Sequence, residues 1–273
     1  MDKNLEETEF TIFDTETTGL EPESGDRIVE IAGLRFKAQE TIATFQALVN
    51  PRRQISESAF AVNRITQDML TDAPGIEKVM PEFLNFIQGS LLCSYNAIFD
   101  LEFLNNELKL MSQSSLNNIV VIDVLKMARR LLPSLERYAL WFVAEKLGIK
   151  AEQKHRALAD AKLTLQVFNK LKDILYAKGI LDFNNFTSLF GLTSQFLDDI
   201  NNQKIAKINE AMHLGVKLKI KYISSADAQI SEREVMPKEI KQDKKNSYLV
   251  AHCCLRNEER TFRIDGILHL EIV

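Results

Sequence analysis

Cysteine is scarce in this chain: Cys93, Cys253 and Cys254 form no CxxC pair and are accompanied by only four histidines. That inventory argues against both a disulfide framework and a zinc site, and buried, reduced thiols are expected instead. No apolar stretch reaches membrane-spanning length, and the acidic segment Met1 to Glu9 lacks the basic start and apolar run of a secretory signal. The expected location is the cytoplasm. Positive charge is also in short supply, with 34 Lys+Arg against 38 Asp+Glu and a net charge of −4, which excludes a broadly basic, phosphate-coating surface. The balance is uneven, however. From Lys204 onward there are 13 Lys+Arg against 10 Asp+Glu, and before it 21 against 28, so an acidic module precedes a mildly basic one.

What is present is the composition of an ordinary globular protein, 45% apolar and 26% charged, over 273 residues, a length that suits two modest domains. Three β-rich runs come first (Thr8 to Asp14, Arg27 to Lys37, Thr41 to Asn50), separated by the turn-rich Thr18 to Asp26 and by Ala38 to Glu40. Helical patterns follow at Ile76 to Gln88, Ile98 to Leu110, Val124 to Leu132, Leu135 to Leu147 and Ala157 to Tyr176, interleaved with the short apolar strands Leu91 to Ser94 and Ile119 to Ile122. Such alternation predicts an α/β fold, a mixed sheet covered by helices. Polar, Asn-punctuated helix from Ala177 suits a connector. Five short strand patterns then close the chain (Val216 to Ser224, Ser231 to Met236, Ser247 to Leu255, Arg260 to Ile264, Leu268 to Val273), predicting a small barrel or sandwich.

Chemistry is concentrated in four acids. In Phe10-Thr11-Ile12-Phe13-Asp14-Thr15-Glu16, an apolar strand ends in two carboxylates two residues apart, which the strand period places on one face. Asp100 opens a helix after a short apolar strand, where it would also oppose the helix dipole. Asp160 lies beside the Ala157, Ala161, Leu165 and Phe168 stripe of a long helix, so its carboxylate is directed toward the sheet, where it requires a cation or proton. His155 stands just upstream. Each residue alone has an ordinary explanation as a charged strand end, a helix-dipole partner or an incidental histidine. Together, oxygen ligands without cysteine suit two Mg²⁺ or Mn²⁺ ions, and a neutral histidine could take a proton from an attacking water.

Asp14-Thr15-Glu16-Thr17-Thr18-Gly19-Leu20, Asn96-Ala97-Ile98-Phe99-Asp100 and His155-(four residues)-Asp160 resemble the three motifs of the DEDDh (DnaQ-like) 3′-5′ exonuclease superfamily, over roughly Glu9 to Leu175. The resemblance implies an RNase H-like sheet flanked by helices, with Asp14, Glu16, Asp100 and Asp160 holding metal and His155 as general base. It further implies that Thr17, Thr18, Leu20 and Asn96 contact the terminal nucleotide, Leu20 wedged against its base. The chain departs from many relatives at Asn63-Arg64, where His-Gly is usual, and at Tyr95, where histidine is common.

The tail, with Ser247-Tyr248-Leu249, Arg260-Thr261-Phe262-Arg263-Ile264-Asp265, Tyr222 and Arg233, resembles a WYL domain over about Asn209 to Val273, with Ser247 in place of the usual tryptophan. This implies a small Sm-like β-barrel that binds nucleic-acid strands or nucleotide-like ligands, with Tyr222, Arg233, His252, Arg256, Arg260 and Arg263 as candidate contacts. Solvated edge charge explains the arginines equally well. The expected organisation is an exonuclease domain at 1–176, a helical linker at 177–208 and the WYL-like domain at 209–273. Nucleic acid, single-stranded DNA or RNA, is the expected partner. Alternatives are an exoribonuclease or signalling-oligonucleotide nuclease, a non-catalytic nucleic-acid-binding regulator, and a merely structural tail that forms a homodimer.

Overall fold

Glu9–Thr17 (β1) places Phe10 and Ile12 in one apolar cluster and Phe13 in another, so this strand is buried on both faces. It is the centre of the first sheet. The structure, a computed structural model, describes residues 5–150, 155–192, 195–243 and 246–273. Ile28–Lys37 (β2) pairs antiparallel with β1 and with Glu40–Leu48 (β3), while Leu91–Ser94 (β4) runs parallel to β1 and to Val121–Asp123 (β5). The order β3-β2-β1-β4-β5 is therefore the mixed sheet expected from the sequence.

Between β3 and β4 lie Glu57–Asn63 (α1), Gln67–Leu70 (α2) and Ile76–Ile87 (α3). Patterning overlooks α1 and α2 because they are too short to show a period, although their Ser56 and Thr66 caps, accepting the Ala59 and Met69 amides, are start signals in the sequence. Ala97–Leu110 (α4) packs with α3 on one face of the sheet. Val124–Leu131 (α5), Leu140–Lys146 (α6) and the 21-residue Ala157–Ala177 (α7) cover the other. The helix expected from Leu135 begins only at Leu140.

Phe183–Phe190 (α8) inserts Phe186, Leu189 and Phe190 into the core beneath α7, so the first part of the expected linker is packed against the nuclease sheet rather than free. Gln195–Leu214 (α9) leads to the second sheet and places Ile208 and Ala211 in its core. That sheet comprises Leu218–Ile223 (β6), Ile230–Asp243 (β7), Asn246–Cys253 (β8), Glu258–Arg263 (β9) and Ile267–Ile272 (β10), in the order β10-β6-β7-β8-β9. All its pairings are antiparallel. The expected Sm-like barrel does not close among the described residues: β9 and β10 are the two edges. The 3₁₀ turn Ile264–Gly266 between them packs on α8 and α9 instead of continuing the ladder. Cys93 and Cys253 are buried as expected but Cys254 is exposed, because β8 ends at Cys253 and the next residue enters a turn. Among the described residues no helix is long and apolar enough to cross a membrane.

Candidate active site

Even-numbered residues of β1 project to the face covered by α7, and at the end of the strand these are Asp14 and Glu16. The first turn of α7 brings Asp160 to the same point, and ligand oxygens of Asp14, Glu16 and Asp160 all lie within 4.8 Å of one another. A bulge follows at once, where Glu16 pairs with Glu30 but Thr17 pairs with Ile28, turning the chain out of the ladder beside the acids.

Burial and mutual repulsion both act on this cluster. Burial first, then the charges of Asp100, Glu16, Asp160 and Glu30, push the Asp14 carboxyl well above its ordinary range. Glu16 is pushed up to about 8 by burial, then by Asp160, Glu30 and Asp100. Asp160 is raised chiefly by burial, against the opposing pull of the His155 amide. Three carboxylates that resist ionising together are the donor set a divalent, oxygen-seeking cation would stabilise, and the site fits such an ion.

Asp100 is not among the three whose oxygens converge within 4.8 Å, yet its charge is the first to act on Asp14. It stands on α4, and its Oδ1 accepts the Thr15 amide at 2.9 Å and the Thr15 hydroxyl at 2.7 Å, while Oδ2 accepts the Ser94 hydroxyl. Its neighbour on β1 is thus odd-numbered Thr15, whereas the cluster uses even-numbered residues. Burial raises Asp100 to about 6 despite those hydrogen bonds.

His155 is exposed, in the left-handed region at φ 58°, a conformation that directs its amide onto Asp160 Oδ2 at 2.8 Å. Residues 151–154 before it lie outside the described residues. The Thr17-to-Leu20 turn is built from its own hydroxyls: Thr17 Oγ1 donates to the Gly19 carbonyl at 2.6 Å and Thr18 Oγ1 to Asp26 at 2.9 Å. A Cβ at Gly19 would sit 2.1 Å from the Asp26 carboxylate, so a side chain there would have to displace Asp26 from the turn. Leu20 is left 79% exposed, free to touch a ligand. Asn63, one of the departures, donates from Nδ2 to the Thr17 carbonyl at 3.2 Å and so supports this turn from behind. Tyr95, the other, points away and donates to the Tyr138 carbonyl at 2.6 Å. Asn96 is exposed at the start of α4, its amide held by Asp123 at 3.1 Å.

The Exonuclease family profile matches residues 11–168, more than half of the chain, and the WYL domain profile matches residues 203–272. The chain belongs to the Exonuclease family. It is 40% identical over 168 residues to the DNA polymerase III subunit epsilon of Treponema pallidum, covering 61% of this chain and 77% of that one. It is 37% identical over 183 residues to the DNA polymerase III PolC-type of Caldanaerobacter subterraneus, covering 67% of this chain but only 13% of that relative's length. Exonuclease X, solved with 5′-overhanging duplex DNA, aligns with a TM-score of 0.50 at 28% identity, over 70% of this chain and 98% of its own.

Two residues of this exonuclease domain escape a motif reading. Glu30, wholly buried on β2, accepts Arg156 Nε at 3.0 Å and Nη2 at 2.9 Å, the Ala157 amide at 3.1 Å and Gln46 Nε2 at 2.8 Å. Those bonds outweigh burial and lower its pKa. The pair fixes the start of α7, and with it His155 and Asp160, to the sheet. A lone glutamate inside the apolar run Ile28-Val29-Glu30-Ile31-Ala32 is the signal that could have revealed it.

The WYL domain does not gather its six candidate residues. Tyr222 is a core residue, edge-on to Phe262 with ring centroids 5.1 Å apart. Arg233 bonds Ser231 and the Cys253 sulfur, and His252 lies 3.2 Å from the Asn257 side-chain oxygen. Arg263 pairs across the ladder with Tyr248, but Arg260 pairs with Ala251 and therefore projects to the opposite face, while Arg256 is exposed in the turn. The period of two separates residues three apart, so arginines close in sequence do not share a pocket.

Proposed function

We propose that this protein is a metal-dependent 3′-5′ exonuclease that removes nucleoside monophosphates from the 3′ end of single-stranded nucleic acid, DNA in preference to RNA, in the cytoplasm. The observation that carries this reading is the convergence of Asp14, Glu16 and Asp160 within 4.8 Å, beside a turn that offers an exposed Leu20. The 40% identity to a DNA polymerase III epsilon subunit favours DNA.

Asp14, Glu16 and Asp160 would hold the divalent ions, Mg²⁺ or Mn²⁺, with Asp100 completing the set. When bound, the ions supply charge neutralisation at the phosphodiester. The Thr17-to-Leu20 turn orients the terminal nucleotide, with Leu20 against its base and Asn96 lining the same cleft. The imidazole of His155 takes the proton of the attacking water, whose oxygen bonds to phosphorus as the bond to the preceding 3′ oxygen breaks, and that oxygen takes a proton from solvent water to leave as the new 3′ hydroxyl. Glu30 and Arg156 are positioning residues. The WYL domain holds the strand or a nucleotide-like ligand, or mediates a homodimer.

End-labelled single-stranded DNA, RNA and duplex, each incubated with Mg²⁺, Mn²⁺ or EDTA, test this directly. The expected result is a ladder shortening from the 3′ end of single-stranded DNA, dependent on metal. Intact labels on every substrate with metal present would refute it.

A further inference from the structure

Where the two modules meet, a cleft of about 690 Å³ opens between α4 and α5 on one side and the β7, β8 and 3₁₀-turn end of the second sheet on the other. Cations crowd it. Lys126 lines the cleft and donates to the Gly191 carbonyl at 3.1 Å, and Lys204 donates to Ser188, another lining residue, at 3.2 Å. Arg130, 7% exposed, lies behind Asp265 with Nη2 3.7 Å from that carboxylate. Its Nε and Nη2 are buried with no hydrogen-bond partner among the described residues. Arg263 also contacts Asp265, through Nε at 3.1 Å and through Nη2.

Among the described residues, four cations thus lie around Asp265, one of two lining carboxylates, the other being Glu102 at the exposed rim. Asp123, which caps α5, and Asp182, which caps α8, also face the lysines. Burial lowers both lysines, Lys204 to about 8, as befits cations short of counter-charge. The Asn201 amide oxygen, also on the cleft wall, is buried with no hydrogen-bond partner among the described residues. Opposite the charge, Ile98 and Ile119 present exposed apolar surface to the same space.

We propose that this cleft is a nucleotide-binding site built jointly by the two modules, with Lys126 facing a phosphate and Ile98 and Ile119 against a base. Lys204, Arg130 and Arg263 supply the surrounding positive potential that attracts the anion. Neither module forms the site alone, and none of the tail's exposed arginines is needed for it. The phosphate has two sources. Ile98 stands on α4, the helix that also carries Asp100, so a strand engaged at the acid cluster and a free nucleotide offer the same groups.

The probes rest on the exonuclease reading, and binding is therefore measured without metal. A 5′-fluorescein-labelled twelve-nucleotide oligothymidylate, with dTMP as competitor, is titrated in EDTA with full-length protein, Lys126→Gln and Ser247→Trp, the latter filling the cleft from the WYL side without removing charge. Both variants are expected to weaken oligothymidylate binding about tenfold, the scale of one lost charge-assisted contact. Hydrolysis of thymidine 5′-(p-nitrophenyl phosphate) with Mg²⁺, which uses the acid cluster, His155 and the Thr17-to-Leu20 turn but not the cleft, should stay within about twofold of wild type and so reports an intact fold. If dTMP competes with wild type but not with the variants, the ligand is a free nucleotide. If dTMP never competes, it is the substrate strand. Wild-type affinity in either variant, or no binding of either probe by wild type, overturns the proposal. Failure of hydrolysis in wild type would instead overturn the exonuclease reading.

Discussion

The acid cluster of the exonuclease domain and the arginines of the WYL domain were both marked by the spacing of charged residues, yet only the first converges. Asp14 and Glu16 are two apart on one strand and share a face, and α7 delivers Asp160 to them. Arg260 and Arg263 are three apart on one strand and are divided by it. Spacing points to a site only when it matches the period of the element that carries it.

A second contrast lies within the exonuclease domain itself. Glu30 is wholly buried but paired with Arg156, whereas Asp14, Glu16 and Asp160 are crowded and form no ion pair among the described residues. Paired acids stabilise the fold, while unpaired acids are held in readiness for a ligand. The largest expected effect that sharpens this contrast is loss of the cluster: Asp14→Ala or Asp160→Ala should abolish hydrolysis while raising the metal-free melting temperature, since each removes repulsion. Near-normal turnover in either variant would remove that residue from the site.

Next in size, His155→Ala should reduce turnover by about 10²- to 10⁴-fold while changing Mg²⁺ affinity little, as read by calorimetry. Near-normal turnover in the variant would show that some other group takes the proton.

Arg156→Ala should behave oppositely to the cluster variants. It strands Glu30 in the core and is expected to cost about 3 kcal/mol of stability in denaturant titrations. Equal stability to wild type would mean that Glu30 is neutralised by another route.

The smallest effect is on the pH dependence of stability. Glu16 has a folded pKa of about 8 against an ordinary value of 4.5, so between those pH values the folded state binds a proton that the unfolded state has released. Metal-free stability should therefore fall as pH rises from about 5 to 8. Saturating Mg²⁺ should flatten the slope, because a bound cation takes the place of the proton. A metal-free melting temperature that rises over this window would contradict the raised carboxylate.

Much of the exonuclease domain was legible from local pattern. Strand alternation announced β1 to β3, helical periodicity announced α3, α4, α5 and α7, and three motifs named the acids and the histidine. Short elements were not legible, since α1 and α2 span too few residues for a period, and only their caps advertise them. Glu30 and Arg156 were missed because their partnership joins positions 126 residues apart.

By itself, the sequence determined which residues are candidates for the chemistry, that Asp14 and Glu16 lie on one face, and that an α/β module precedes an all-β one. Each of those follows from the identity and periodicity of neighbouring residues along one element. Only the tertiary structure decided that Asp100 is held by Thr15 and Ser94, that the second sheet stays open, and that Lys126, Arg130, Lys204 and Arg263 gather around Asp265. These outcomes depend on how separate elements pack, and packing joins positions that no local period connects.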